Sequence, residues 1–201
     1  MAAAGLLAVR ESRALLPDFT WTGQVEGLGL WVRAFISAES FAEGEREVAS
    51  LWPVSTDECW SGRTALVVYG LCGYFIRGDR PALARNYEFV CSRFERGAIN
   101  TSQMCVEPIA AAAAAAAGRW EECLRWSAVA LARWNGTPYV LRQAQTCEMV
   151  GWALMQHPTV DEQARGRDLL VRARADYAGI GATSRVNHCD AWLAGADRAG
   201  P

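Results

Sequence analysis

The chain has 201 residues, of which 51% are apolar and 21% charged, with a formal net charge of -2. This composition supports a folded core and excludes a largely disordered chain. The balanced charge offers no basic face for phosphates, so we expect no direct contact with nucleic acid. The longest apolar stretch, residues 65–76, is too short to span a bilayer, and no basic leader precedes the first apolar residues. We therefore expect a cytoplasmic protein without membrane contact.

The predicted elements are helices, most of them in pairs joined by short links. Residues 2–16 have the pattern of a helix whose partner is missing. The predicted pairs that follow are residues 25–37 with 40–52, 60–76 with 79–91, 104–117 with 119–131, and 139–155 with 161–173. Residues 182–194 form a closing helix. No long segment alternates with the period of two that a strand requires, so no sheet is predicted.

Apolar residues at three- and four-residue spacing predict the buried face of several helices. These faces are Leu28, Trp31, Val32 and Phe35 in the first pair, Val140, Ala144, Cys147, Val150 and Leu154 in the fourth, and Val186, Cys189 and Trp192 in the closing helix. Gly78 and Gly118 are predicted to end helices in the left-handed conformation, and Pro81 to lie in a first turn. The eight alanines at 110–117 favour close packing between helices, although they could also form a smooth face for a partner.

The pairs repeat at a nearly constant interval. Corresponding small or apolar residues, Gly44, Leu83, Cys123 and Ala164, are 39, 40 and 41 positions apart. This period predicts an all-α fold, a right-handed α-solenoid of tetratricopeptide-like hairpins with about nine or ten helices. We expect a single repeat domain over residues 1–201, with repeats at roughly 25–57, 58–97, 98–136 and 137–181.

Residues 118–154 and 161–185 also carry a family resemblance. Their matching positions are Gly118, Arg119, Trp120, Glu121, Glu122, Leu124, Gly136, Pro138 and Tyr139, then Ala164, Arg165, Leu169, Leu170, Ala173, Tyr177, Ile180 and Gly181. This pattern resembles the irregular tetratricopeptide region at the C-terminal end of large bacterial signalling ATPases, including LuxR-type transcriptional regulators. Cys123 replaces the usual alanine, and Asp168 replaces a usual large apolar residue.

The predicted stack of hairpins presents a groove that suits a helical or extended peptide, so we expect a non-catalytic scaffold that binds a protein or peptide partner. The resemblance implies a role in bacterial signalling or transcriptional regulation. The alternative is an inducer-sensing or autoinhibitory segment of an ATP-dependent regulator, which could bind a small-molecule inducer. The ATPase and DNA-binding parts would then lie outside this chain, since it contains no G-x-x-x-x-G-K-[ST] phosphate loop.

No constellation predicts catalysis, a cofactor or a metal. His188, Cys189 and Asp190 are adjacent, but consecutive helical side chains point about 100° apart and cannot converge on one atom. The seven cysteines contain no CxxC pair and are expected to be reduced, small apolar residues. Only His157 and His188 could supply imidazole to a metal.

Partner binding is predicted at Trp126, Arg133 and Trp134. If Cys123, Leu124, Ala128 and Leu131 form the buried stripe of their helix, both tryptophans are exposed beside arginines, an arrangement typical of contact surfaces. The alternative is that these tryptophans pack between repeats.

Overall fold

The computed structural model describes residues 22–49, 61–95, 106–134 and 136–198. Every regular element in these ranges is a helix, which confirms the all-α prediction. The chain divides into two compact units, residues 1–104 and 105–201, and each is described by itself. The predicted helix at residues 2–16 lies outside the described residues.

The described residues of the N-terminal unit form five helices: α1 Thr22–Ile36, α2 Ala38–Val48, α3 Ser61–Arg77, α4 Arg80–Arg85 and α5 Tyr87–Glu95. α1 packs against both α2 and α3, and α3 contacts α4. The predicted helix over residues 79–91 is interrupted at Asn86, where α4 ends. The side-chain amide of Asn86 donates to the carbonyl oxygen of Ala82 at 2.8 Å, an interaction that competes with continuation of the helix.

The predicted apolar face of α1 is wrong. Leu28 and Phe35 are exposed, and the helix instead buries Leu30, Arg33 and Ala34. The buried face therefore includes a charged residue, which a hydropathy pattern assigns to solvent.

The guanidinium of Arg33 is buried because α2 supplies its counter-charges. It lies 3.0 Å from a carboxylate oxygen of Glu43 and 2.9 Å from one of Glu47. It also donates to the carbonyl oxygen of Ser40 at 3.3 Å. Paired and hydrogen-bonded in this way, a buried arginine fixes the contact between α1 and α2.

In the C-terminal unit, residues 106–134 and 136–198 also form five helices: α6 Val106–Ala116, α7 Trp120–Trp134, α8 Val140–Met155, α9 Val160–Gly179 and α10 Thr183–Arg198. α8 packs against all four of the others. Every residue from Ala144 to Leu154 is buried, so α8 is enclosed on all sides and not only along the predicted stripe. Val140, at the start of that stripe, is exposed.

The turns and helix ends predicted at Gly78, Gly118 and Pro81 are confirmed. Gly78 and Gly118 both have φ of +70°, which confirms their left-handed conformation. Pro81 lies in the first turn of α4 and Asp79 caps it, as expected for a helix start. The closing helix is confirmed as α10, with Cys189 buried and Val186 and Trp192 packed against the same core.

Small residues bring the helices close together. α6 is buried from Val106 to Ala115 and packs against α7 and α8. Where α8 meets α9, a Cβ on Gly151 would lie 2.8 Å from the carbonyl oxygen of Gly166, and a Cβ on Gly166 would lie 2.7 Å from that of Gly151. The two backbones therefore touch, and neither position has room for a side chain.

We predict that Gly151→Ala lowers the free energy of unfolding by about 2 kcal/mol, because the new methyl group must push the α9 backbone away. Gly195→Ala in α10 is the matched control, since no atom lies within 4 Å of its Cβ position. There the same change gains helix propensity and should stabilise by up to about 1 kcal/mol. Urea denaturation followed by circular dichroism measures both, and equal effects would contradict the close approach.

Candidate functional site

The predicted exposure of Trp126 and Trp134 is wrong. Their side chains are only 6% and 8% exposed, whereas Ala128, expected to be buried, is exposed. The face that α7 buries consists of Cys123, Trp126, Ser127, Ala130 and Trp134. α7 carries two overlapping apolar stripes, and its packing against the alanine-rich α6 favours the stripe with the larger side chains.

Arg133, the third residue predicted to bind a partner, connects two helices. Its guanidinium forms an ion pair with the buried carboxylate of Glu107 in α6. Its Cζ also lies 5.7 Å from the ring centroid of Trp134, within range of a cation–π interaction. Arg133 therefore stabilises the contact between α6 and α7.

A cavity of about 280 Å³ lies between α7, α8 and α9. It includes one of the three predicted site residues, Trp134. Its lining residues are Leu131, Ala132, Trp134, Gln143, Thr146, Cys147, Leu169 and Arg172. The walls are thus mostly apolar, with a few polar groups, which is the usual composition of a ligand site.

Two polar atoms on cavity-lining side chains have no hydrogen-bond partner among the described residues. They are the indole Nε1 of Trp134 and the hydroxyl Oγ1 of Thr146, and both are buried. Gln143, in contrast, uses both ends of its amide: its Nε2 donates to the carbonyl oxygen of Thr137, and its Oε1 accepts from Arg172 Nη2 at 3.3 Å. A buried polar group without a partner costs free energy, and the Ser127 hydroxyl of α7 is a further example outside the cavity.

The cavity contains an unactivated thiol. Burial raises the pKa of Cys147, the nearby positive charge of Arg172 opposes that shift, and the negative charge of Asp176 adds to it. The thiol is therefore protonated at neutral pH and is a poor nucleophile. Cys123 and Cys189 are similar, because burial raises their pKa values to about 11 and about 12.

An exposed aromatic side chain packs against the cavity wall. Tyr139, Val140 and Leu141, at the start of α8, are all exposed, and consecutive side chains of a helix point in different directions. The ring of Tyr139 packs edge-on against that of the cavity residue Trp134, with centroids 6.4 Å apart. Trp134 thus joins the cavity wall to the outer surface.

A buried carboxylate, which the sequence analysis did not identify, lies at the centre of α8. Glu148 is 0% exposed. It accepts a hydrogen bond of 2.7 Å from the hydroxyl of Tyr177 in α9 and an ion-paired one from Arg185 in α10. The Nδ1 of His188 lies 2.9 Å from its other oxygen, and the imidazole packs against Trp192 with centroids 3.9 Å apart.

The side chains of His188, Cys189 and Asp190 in the closing helix point in different directions, as predicted. His188 contacts Glu148, Cys189 is buried in the core, and Asp190 pairs with Arg174. One sequence signal could have located the buried cluster: Glu148 is the only acidic residue of α8.

We predict that Glu148→Gln destabilises the protein by about 3 kcal/mol, because the change leaves the buried guanidinium of Arg185 without a counter-charge. Asp190→Asn is the control, since Asp190 and Arg174 are 47% and 46% exposed. An exposed pair contributes little, so the control should lose less than about 1 kcal/mol. Urea denaturation gives both values. A Glu148→Gln variant as stable as the control would show that the buried pair does not hold α10.

Comparisons with known proteins add no identification. No protein-family model matches the chain, and neither the curated proteins nor the solved structures include a significant match. Within residues 22–49, 61–95, 106–134 and 136–198, no group of three or more histidine, cysteine or acidic side chains could hold a metal ion. None of the helices described is both long enough and apolar enough to cross a membrane.

Proposed function

We propose that this chain is a non-catalytic binding scaffold of the tetratricopeptide-repeat type, a right-handed solenoid of helical hairpins that recognises a protein or peptide. One observation carries the proposal: the apolar cavity is walled by Trp134, whose indole packs against the exposed ring of Tyr139. A peptide could place one anchor side chain in the cavity and lay a neighbouring residue against that ring.

The size of the cavity supports an anchor side chain. At about 280 Å³ it is just below the range of roughly 300–1,000 Å³ that is usual for small-molecule sites. Binding energy at protein interfaces concentrates in a few anchors that fill such pockets, while the surrounding contacts exclude water. Leu131 and Leu169 supply apolar walls, and Ala132 leaves space beside them.

A second function rests on the resemblance to regulatory ATPases over residues 118–185. The C-terminal unit would then be the inducer-sensing or autoinhibitory segment of an ATP-dependent transcriptional regulator in the bacterial cytoplasm. The polar side chains of Gln143, Thr146 and Arg172 favour this alternative, because an apolar cavity with a few polar groups can orient a small molecule.

We predict that Ala132→Trp weakens peptide binding by filling the cavity. Ala132 lines the cavity but is itself exposed, so the large side chain does not disrupt the core. Peptides are selected on the wild-type chain from a random display library, and their affinity is measured by fluorescence polarisation. Loss of the anchor should weaken binding by about thirtyfold, equivalent to about 2 kcal/mol.

Ala128→Trp is the matched control for this experiment. Ala128 is also exposed and lies one turn earlier on α7, but it does not line the cavity. Peptides should bind this variant as they bind the wild type. Equal binding to all three chains, or a library that yields no peptide, would refute peptide recognition at the cavity. Thermal stabilisation by a small molecule, lost only in Ala132→Trp, would favour the inducer-sensing alternative.

A further inference from the structure

The charged side chain at the cavity has no acidic partner. Arg172 makes one hydrogen bond, to the neutral Gln143, and no described carboxylate lies within 4 Å of its guanidinium. Other arginines of the protein do pair with carboxylates; they are Arg33, Arg133, Arg165, Arg174 and Arg185. Arg172 therefore has further N–H groups that can donate to an oxyanion, which a guanidinium can bind through two parallel hydrogen bonds.

The other polar groups of the cavity also lack acceptors. The Trp134 N–H can only donate, and the Thr146 hydroxyl can donate; neither has a partner among the described residues. The carbonyl oxygen of the Gln143 side chain is already used by Arg172. The Trp134 nitrogen and the Thr146 oxygen are covered by protein, so the exposed guanidinium of Arg172 is the group on which a ligand with acceptor oxygens would bind.

We propose that the cavity binds an apolar group that carries a carboxylate, with the carboxylate on Arg172 and the apolar part between Leu131, Leu169 and Trp134. This inference rests on the cavity being the binding site of the proposed function, and it adds the chemical class of the ligand. The carboxylate could belong to a free organic acid or to the end of a peptide chain.

Asp176 is the acidic side chain that opposes this assignment. It lies one turn after Arg172 on α9, but it does not line the cavity and makes no ion pair with Arg172. Both charges act on the Cys147 thiol in the cavity wall, and the effect of Arg172 is the larger of the two. Arg172 is thus the charged side chain that lines the cavity, and Asp176 lies outside its lining.

The test uses two pairs of probes that differ only in charge. The first pair is phenylacetate and phenylacetamide; the second is a short peptide ending in phenylalanine, with either a free carboxylate or a carboxamide. Each is titrated into the isotope-labelled full-length chain, and the indole N–H resonances report binding near Trp134. Both carboxylates should bind at least about tenfold more tightly than their amides, because a charge-assisted hydrogen bond is stronger than a neutral one.

Arg172→Gln should remove that difference while leaving the fold unchanged, because Arg172 is exposed and glutamine is also polar. Arg174→Gln, on the same helix but paired with Asp190, should bind all four probes as the wild type does. Binding of phenylacetate alone would indicate a free acid, and tighter binding of the peptide carboxylate would indicate a chain end.

Three results would overturn the inference: binding of no probe, amides that bind as tightly as carboxylates, or an unchanged preference in Arg172→Gln. The proposed function can still stand in each case. If selected peptides continue to bind the wild type and bind Ala132→Trp more weakly, the cavity is a recognition site for a neutral group. If that effect is missing as well, both proposals fail.

Discussion

Glu148 lies at the middle of a helix that is buried on every side, so its negative charge must be balanced from within the fold. The hydroxyl of Tyr177 and the guanidinium of Arg185 meet this requirement, with the imidazole of His188 against the other oxygen, and these contacts join α9 and α10 to α8. A single buried carboxylate thus lies where α8, α9 and α10 meet. Replacing it would leave a buried cation, which is why the arrangement has little freedom to change.

Close packing and the cavity arise at the same pair of helices. At Gly151 and Gly166 the backbones of α8 and α9 touch, which leaves no space between them. About two turns away, near Gln143 and Arg172, the cavity lies between the same two helices, and residues of α7 line its third side. The close contact at the glycines and the cavity therefore belong to one helix pair.

The sequence was sufficient to predict most of the described helices, because periodicity, glycine turns and caps are local signals, but it did not predict the interruption at Asn86 or the length of α9. It failed for α7, where two apolar stripes overlap and only the neighbouring α6 selects the one that contains Trp126 and Trp134. It also missed Arg33 and Glu148, since a charge is buried only when distant residues neutralise it. The cavity could not be predicted from the sequence either, because its existence depends on how three helices pack together. Nothing in the sequence distinguishes Arg172, which lines the cavity, from the other arginines of the chain.

We propose that ligands bind in the cavity between α7, α8 and α9. Intermolecular nuclear Overhauser effects test it most directly, in a complex of the full-length chain with a peptide selected on it. We expect contacts from the anchor side chain of the peptide to the methyl groups of Leu131 and Leu169 and to the indole ring of Trp134. A bound peptide that shows contacts only to residues elsewhere, with none to these three side chains, would contradict the claim.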